Sequence, residues 1–293
     1  MPWQTISKQI EAATGEPFKV VSTHPLSGGD INTAFLLKGD RKSYFIKLNK
    51  AELSLMFEAE LAGLQELANT QTIRVPMPIT CGQASEQAYL VLEYIFFGSK
   101  NKTSERLLGQ QLALMHRQQQ PYFGWHRQNT IGSTLQSNIK SDEWLTFWRE
   151  QRLTFQLQLL AKKGYTGKLQ LDGERLCSEL PLLFTQYQPQ ASLLHGDLWA
   201  GNAAVDQQGR PIIFDPACYY GDREADLAMT ELFGGFSQDF YAAYQSVWPL
   251  NAGYAVRKTF YNLYHILNHL NLFGGGYLRQ AESMMSLILS EIH

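Results

Sequence analysis

Cysteine is scarce in this 293-residue sequence: Cys81, Cys177 and Cys218 are an odd number, widely spaced, and none belongs to a CxxC pair. That argues against a disulfide framework and against a structural zinc site. An excess of one charge is also missing. Twenty-five basic residues against 27 acidic ones leave a formal charge of −2, whereas an electrostatic binder of nucleic acid or acidic membrane needs a basic surplus. No apolar run approaches the roughly 18 residues of a membrane helix. Met1 to Gly15 has neither the cationic start nor the apolar stretch of a secretory signal, so a cytoplasmic location is expected. There is no internal repeat and no low-complexity segment. What remains is 44% hydrophobic and 18% charged, enough to bury a real core. At roughly 150 residues per domain, the length suits two domains.

The pattern along the chain divides unequally. Trp3, Ile6, Ile10 and Ala13 recur at helical spacing. Phe18 to Leu26, Ile31 to Leu37 and Ser43 to Leu48 are β-prone runs separated by turn residues, which predicts three antiparallel strands. A helix is expected over Glu52 to Asn69. After Pro76 and Pro78, the apolar run Ala88 to Phe97 suggests two further strand-like pieces. Beyond about Lys100 helical patterning dominates, with candidates at Glu105 to Arg117, Asp142 to Lys163, Ser237 to Val247, Tyr254 to Leu272 and Tyr277 to Ile292. The exception is Ser192 to Phe214, which carries strand-like runs. The expected class is α+β: a small antiparallel-sheet lobe over residues 1–97, a join at about 93–100, and a larger helical lobe over 98–293.

On a helical wheel, Met56, Phe57, Leu61, Leu64 and Leu67 share one face, and Glu60 falls near its middle. A carboxylate on a core-facing stripe needs a cationic partner or a proton. Lys47, inside the predicted strand Tyr44-Phe45-Ile46-Lys47-Leu48, is a candidate partner, on the same strand face as Phe45 and opposite Ile46 and Leu48. Such a pair could direct the lysine onto nucleotide phosphates; alternatively both residues face solvent. Ser27-Gly28-Gly29-Asp30 reads as a hairpin turn or as a loop whose backbone N–H groups approach an anion.

The strongest local signal is His195-Gly196-Asp197-Leu198-Trp199-Ala200-Gly201-Asn202, followed by Pro211-Ile212-Ile213-Phe214-Asp215-Pro216. The runs either side of Asp206-Gln207-Gln208-Gly209-Arg210 form a hairpin pattern. With the turn centred between Gln208 and Gly209, Asn202 and Asp215 face one another at its open end. A carboxylate and an amide oxygen held there suit Mg²⁺, and Asp197 is placed to take a proton from an attacking hydroxyl. The spacing of His195, Asp197, Leu198 and Asn202 is that of the protein-kinase catalytic loop, with Gly196 in place of its arginine. A competing reading takes His195 and Asp197 as ligands of a hydrolytic metal. It would need His265 and His269, whose i, i+4 spacing one packed helix already explains.

Leu194 to Asn202, Asp215 to Phe236 (including Arg223-Glu224-Ala225-Asp226), and Tyr264 to Gly276 together resemble the fructosamine kinase (ketosamine-3-kinase) family. Ser27 to Asn32, Phe45 to Asn49 and Met56 to Glu60 also fit, so the resemblance spans nearly the whole chain. It implies a bilobal protein-kinase-like fold and ATP-dependent phosphorylation of the 3-hydroxyl of a ketosamine, whose unstable product loses its amine. It further implies Asp197 as catalytic base, Asn202 and Asp215 as Mg²⁺ ligands, and Lys47 on the ATP phosphates, oriented by Glu60 and covered by the Gly28-Gly29 loop. Glu93, Tyr94 and Ile95 would form the adenine-side hinge, Asp226 would support the catalytic loop, and His195 and Trp199 would support it or touch substrate. Some relatives carry a cysteine where Asp30 stands, so thiol regulation through that loop is not expected.

The acceptor would be a small-molecule ketosamine or a glycated lysine, with no nucleic acid or membrane partner. A kinase for another small hydroxylated metabolite, and a catalytically silent nucleotide-binding regulator, remain alternatives. Trp125, Trp144, Trp148 and Trp199 could stack on a sugar or fill the core.

Overall fold

A computed structural model describes residues 2–27 and 31–292. The opening helix α1 (Trp3–Thr14) buries Ile6 and Ile10 against one face of a five-stranded antiparallel sheet. Its strands are β1 (Val20–Leu26), β2 (Thr33–Gly39), β3 (Ser43–Lys50), β4 (Pro78–Ala84) and β5 (Gln87–Glu93), in the order β1-β2-β3-β5-β4. Strand alternation divides β3 as expected. Tyr44, Ile46 and Leu48 meet α1, while Phe45 and Lys47 point to the other face, toward the main core and α2 (Ser54–Asn69).

One expectation fails here. Residues 88–97 give a single strand, and its hairpin partner β4 lies earlier, at Pro78–Ala84. The proline was misleading because β4 is an edge strand: a residue without an N–H is tolerated there, and the register shifts between Pro78 and Thr80.

The rest of the chain is mainly helical. Helix α3 (Lys102–His116) starts with a capping box made by Asn101 and Ser104, and a short pair, β6 (Asn129–Ile131) and β7 (Thr134–Gln136), follows. Helix α4 (Trp144–Trp148) runs through a wide turn at Arg149–Thr154 into α5 (Phe155–Lys162). Trp125, Trp144 and Trp148 are all buried in this core, which excludes them from sugar stacking.

Helix α6 (Lys168–Glu179) is an element the periodicity did not reveal. Two small strand pairs then carry the polar motif. Strand β8 (Ser192–Leu194) pairs with β11 (Tyr219–Gly221), and β9 (Ala203–Val205) pairs with β10 (Pro211–Ile213). Helices α7 (Glu224–Leu232, also unforeseen), α8 (Gln238–Val247), α9 (Tyr254–Phe273) and α10 (Leu278–Ile292) complete the chain. Among the described residues, no helix is long and apolar enough to cross a membrane.

Candidate active site

The hairpin register differs from expectation by one residue. Val205 faces Pro211 and Ala203 faces Ile213, so Asn202 lies opposite Phe214, whose N–H donates to its carbonyl at 3.0 Å. The cause is a three-residue loop, Gln207 to Gly209, with Gly209 in the left-handed region at φ 79°. Asp215 comes one residue beyond the ladder, itself at φ 59°. Few non-glycine residues adopt that conformation, Asp among the more tolerant, and here it swings the carboxylate toward β3.

Lys47 Nζ meets that carboxylate. It donates to Asp215 Oδ1 at 2.7 Å and to Glu60 Oε1 at 2.6 Å, so a buried ammonium joins sheet and helix α2 to the more exposed carboxylate of the hairpin. Burial alone would pull the Lys47 pKa down, but the charges of Asp215 and Glu60 outweigh it and the amine is held firmly protonated. Burial pushes Glu60 up, against the opposing effect of Lys47. Glu58 and Glu66 point elsewhere, to Arg127 and the Tyr220 hydroxyl.

The catalytic-type loop is fixed from behind. Asp226, in the first turn of α7, accepts the backbone N–H groups of His195 (2.7 Å) and Gly196 (2.8 Å). His116 Nε2 lies 3.1 Å from Asp226 and the Tyr244 hydroxyl is 2.8 Å from His116 Nδ1, extending the support into α3 and α8. Gly196 has φ 83°, and a Cβ there would stand 2.1 Å from the Ala217 carbonyl oxygen. His195 is fully buried: its Nε2–H donates to the Phe214 carbonyl (2.9 Å) and its Nδ1 accepts the Asp197 N–H (3.3 Å). Burial lowers its pKa, so the ring is neutral, and both of its nitrogens are spent on holding the loop. Among the described residues, no group of three or more His, Cys, Asp or Glu is arranged to hold a metal.

Asn202 Nδ2 donates to the Asp197 carbonyl (2.9 Å) and to Asp197 Oδ2 (3.3 Å). Burial, reinforced by the charge of Asp215, raises the Asp197 pKa to about 7 against the Asn202 hydrogen bond. With Asn202 Nδ2 spent on Asp197, its Oδ1 is the atom left for a cation. Together with Asp215 this gives two oxygen donors beside open cavity, a set that fits Mg²⁺ completed by phosphates and water.

Lys47, Glu60, Asp197, Asn202 and Asp215 all line one cavity of about 610 Å³. Its far wall comes from residues the sequence did not single out as a group: Asn129, Phe233, and His265, Asn268, His269 and Phe273 of α9. The histidine pair therefore faces the cavity as well as packing its helix. Burial, with His269 nearby, pushes His265 down to about 3, and His269 stacks on Phe233 at 5.4 Å. The helical period marks this face of α9, but only packing shows what it faces. Trp199 lines the cavity and is 39% exposed, edge-on to Phe233 at 6.2 Å.

Glu93, Tyr94 and Ile95 do not line this cavity. The Glu93 carboxylate is occupied by Arg74 at 2.6 Å. Gly28, Gly29 and Asp30 lie outside the described residues.

The family model for fructosamine kinase matches residues 2–291. The chain belongs to the fructosamine kinase family. It is 48% identical to the "Probable ketoamine kinase" of Synechocystis sp., over 98% of this chain and 97% of that protein. It is 40% identical to the chloroplastic protein-ribulosamine 3-kinase of Arabidopsis thaliana, over 92% and 83%. The crystal structure of a candidate fructosamine-3-kinase from Haemophilus somnus superposes with a TM-score of 0.90 at 28% identity, covering 98% of this chain and 97% of that one. The fold is also that of the aminoglycoside phosphotransferase-like kinases. Family membership makes the protein a phosphotransferase acting on an alcohol acceptor, with ATP the implied donor.

Proposed function

We propose that this fructosamine kinase family member transfers the γ-phosphoryl group of ATP to the sugar 3-hydroxyl of a ketosamine, and so serves deglycation. The observation that carries the reading is the Lys47 junction: one buried cation, bonded to Glu60 and Asp215, on the wall of a cavity that Asp197 and Asn202 share. Phosphoryl transfer asks a protein for positioning and charge neutralisation more than for covalent chemistry. The names of the ketoamine and ribulosamine 3-kinase relatives support the acceptor class and the hydroxyl position.

In this reading residues 1–97 hold the nucleotide, residues 93–100 form the hinge, and residues 98–293 supply the catalytic and acceptor side. Lys47 offsets charge on the phosphates and Glu60 holds Lys47 in place. Mg²⁺ held by Asn202 and Asp215 would supply further charge neutralisation at the β- and γ-phosphates. Asp197 orients the acceptor hydroxyl and takes its proton as the oxygen–phosphorus bond forms and ADP departs. Burial raises the Asp197 pKa, which favours proton uptake by its carboxylate. Asp226 and His195 position the loop without touching substrate. Trp199, partly exposed on the cavity wall, offers an aromatic face to the sugar.

The test is a panel of ketosamines differing in sugar and amine, compared by kcat/KM, with the phosphorylated carbon identified by phosphorus and carbon NMR. Turnover confined to ketosamines, with phosphate on the 3-oxygen, is expected. Preference for an unmodified amino sugar or amino alcohol would overturn the acceptor assignment.

A further inference from the structure

Arg74 lies between α2 and β4, with Ile73 and Val75 buried on either side of it. Its carbonyl accepts the Ile213 N–H at 3.1 Å, so this segment runs alongside β10, two residues before Asp215. Its guanidinium reaches two carboxylates that belong to different parts of the fold. Nη2 donates to Glu93 Oε1 at 2.6 Å, where β5 ends, and Nη1 donates to Asp206 Oδ2, in the turn of the β9–β10 hairpin. Asp206 is 2% exposed and is held further by the backbone N–H groups of Gln208 and Arg210 and by Arg210 Nε.

The chain beyond Ile95 attaches to the same hairpin. Gly98 N–H donates to the Val205 carbonyl at 2.7 Å, and the Phe97 ring stacks on Phe214 at 5.8 Å. A Cβ at Gly98 would stand 2.6 Å from the Asp206 carbonyl oxygen, so the approach is close. The segment 94–96 is thus tied at both ends to the hairpin whose other end carries Asn202 and Asp215. At its β5 end the side-chain tie is Arg74.

We infer that Arg74 is a positioning residue that sets the distance between the hinge, where the adenine of ATP would lie, and the hairpin end that holds its phosphates. The inference rests on ATP as the donor but not on the identity of the acceptor. A planar guanidinium can serve both carboxylates at once, which a lysine ammonium on a flexible stem cannot do with the same geometry. A ligand that spans both ends depends on their spacing. A ligand that occupies only one end does not.

The experiment measures equilibrium binding of three ligands to the full chain: MgATP, adenosine, and magnesium tripolyphosphate. In Arg74→Met, MgATP is expected to bind about ten-fold more weakly, with adenosine and tripolyphosphate within two-fold of wild type. Asp206→Asn, which leaves the Arg74–Glu93 contact in place, should give the same pattern, and Arg74→Lys an intermediate one. These two variants decide the matter should Arg74→Met not fold. Equal weakening of all three ligands, or no change in any, would overturn the inference. Wild-type protein that binds MgATP without phosphorylating any ketosamine would instead overturn the proposed acceptor, leaving the role of Arg74 to be judged on binding.

Discussion

The carboxylate of Asp226 takes the backbone N–H of Gly196 at 2.8 Å on one oxygen and that of His195 at 2.7 Å on the other. The loop that presents Asp197 is therefore held through its main chain by a side chain thirty positions away. Burial would raise the pKa of Asp226, but the hydrogen bonds from His116 and the Gly196 N–H outweigh it and hold the acid below the usual range. Asp226→Asn turns an NH₂ toward one of the two backbone donors and leaves that buried N–H unpaired, at about 1–3 kcal/mol. Loss of thermal stability is expected together with a kcat reduced by about two orders of magnitude. Melting midpoints and steady-state kinetics check both, and an unchanged kcat would refute the support role.

Asp197→Ala should abolish ketosamine-dependent turnover while MgATP still binds, because only the proton acceptor is lost. Calorimetric binding beside a turnover assay separates the two effects. Near-wild-type turnover would rule out Asp197 as the base.

Lys47→Met removes the one cation shared by Glu60 and Asp215. Breaking a buried ion pair leaves an uncompensated carboxylate, at about 3–5 kcal/mol. Lys47→Met should destabilise the fold and lower kcat by at least about 100-fold. Adding Glu60→Gln should restore part of the stability and none of the activity. Denaturant midpoints of the single and double variants provide the check, and recovery of activity in the double variant would contradict the phosphate role of Lys47.

Chelation of divalent cations should stop turnover, and magnesium should restore it. Asp215→Ala and Asn202→Ala should each raise the magnesium concentration needed for half-maximal rate. A magnesium dependence unaltered in both variants would remove them as ligands.

His265 has a folded pKa pushed down to about 3 by burial and by His269, below its ordinary 6.5. The unfolded chain then binds a proton that the folded chain refuses between those values. The stability contributed by the neutral ring is fully present above about 6.5 and is lost as pH falls, by about 1.4 kcal/mol per pH unit. His265→Asn should flatten the fall in stability between pH 6.5 and pH 4, measured by urea midpoints. An identical slope in the variant would count against a buried neutral imidazole.

Much of the site was legible where its logic is local. Helical periodicity placed Glu60 on the core stripe, and strand alternation placed Lys47 opposite Ile46. The motif from His195 to Asn202 marked the loop that lines the cavity. Legibility failed where a local rule had a structural exception: Pro78 on an edge strand hid β4, and Gly209 added a loop residue that moved Asp215 out of register with Asn202.

The sequence by itself determined most of the elements, the kinase family and the candidate residues of the site, because periodicity, turn residues and short motifs act between near neighbours. Tertiary structure alone decided that Lys47 would sit between Glu60 and an Asp215 168 positions away. It also decided that α9 would wall the cavity and that Arg74 would join Glu93 to Asp206. Those meetings depend on how the sheet, the hairpin and the helices pack. Whether a charge is neutralised depends on which charges that packing brings within hydrogen-bond reach.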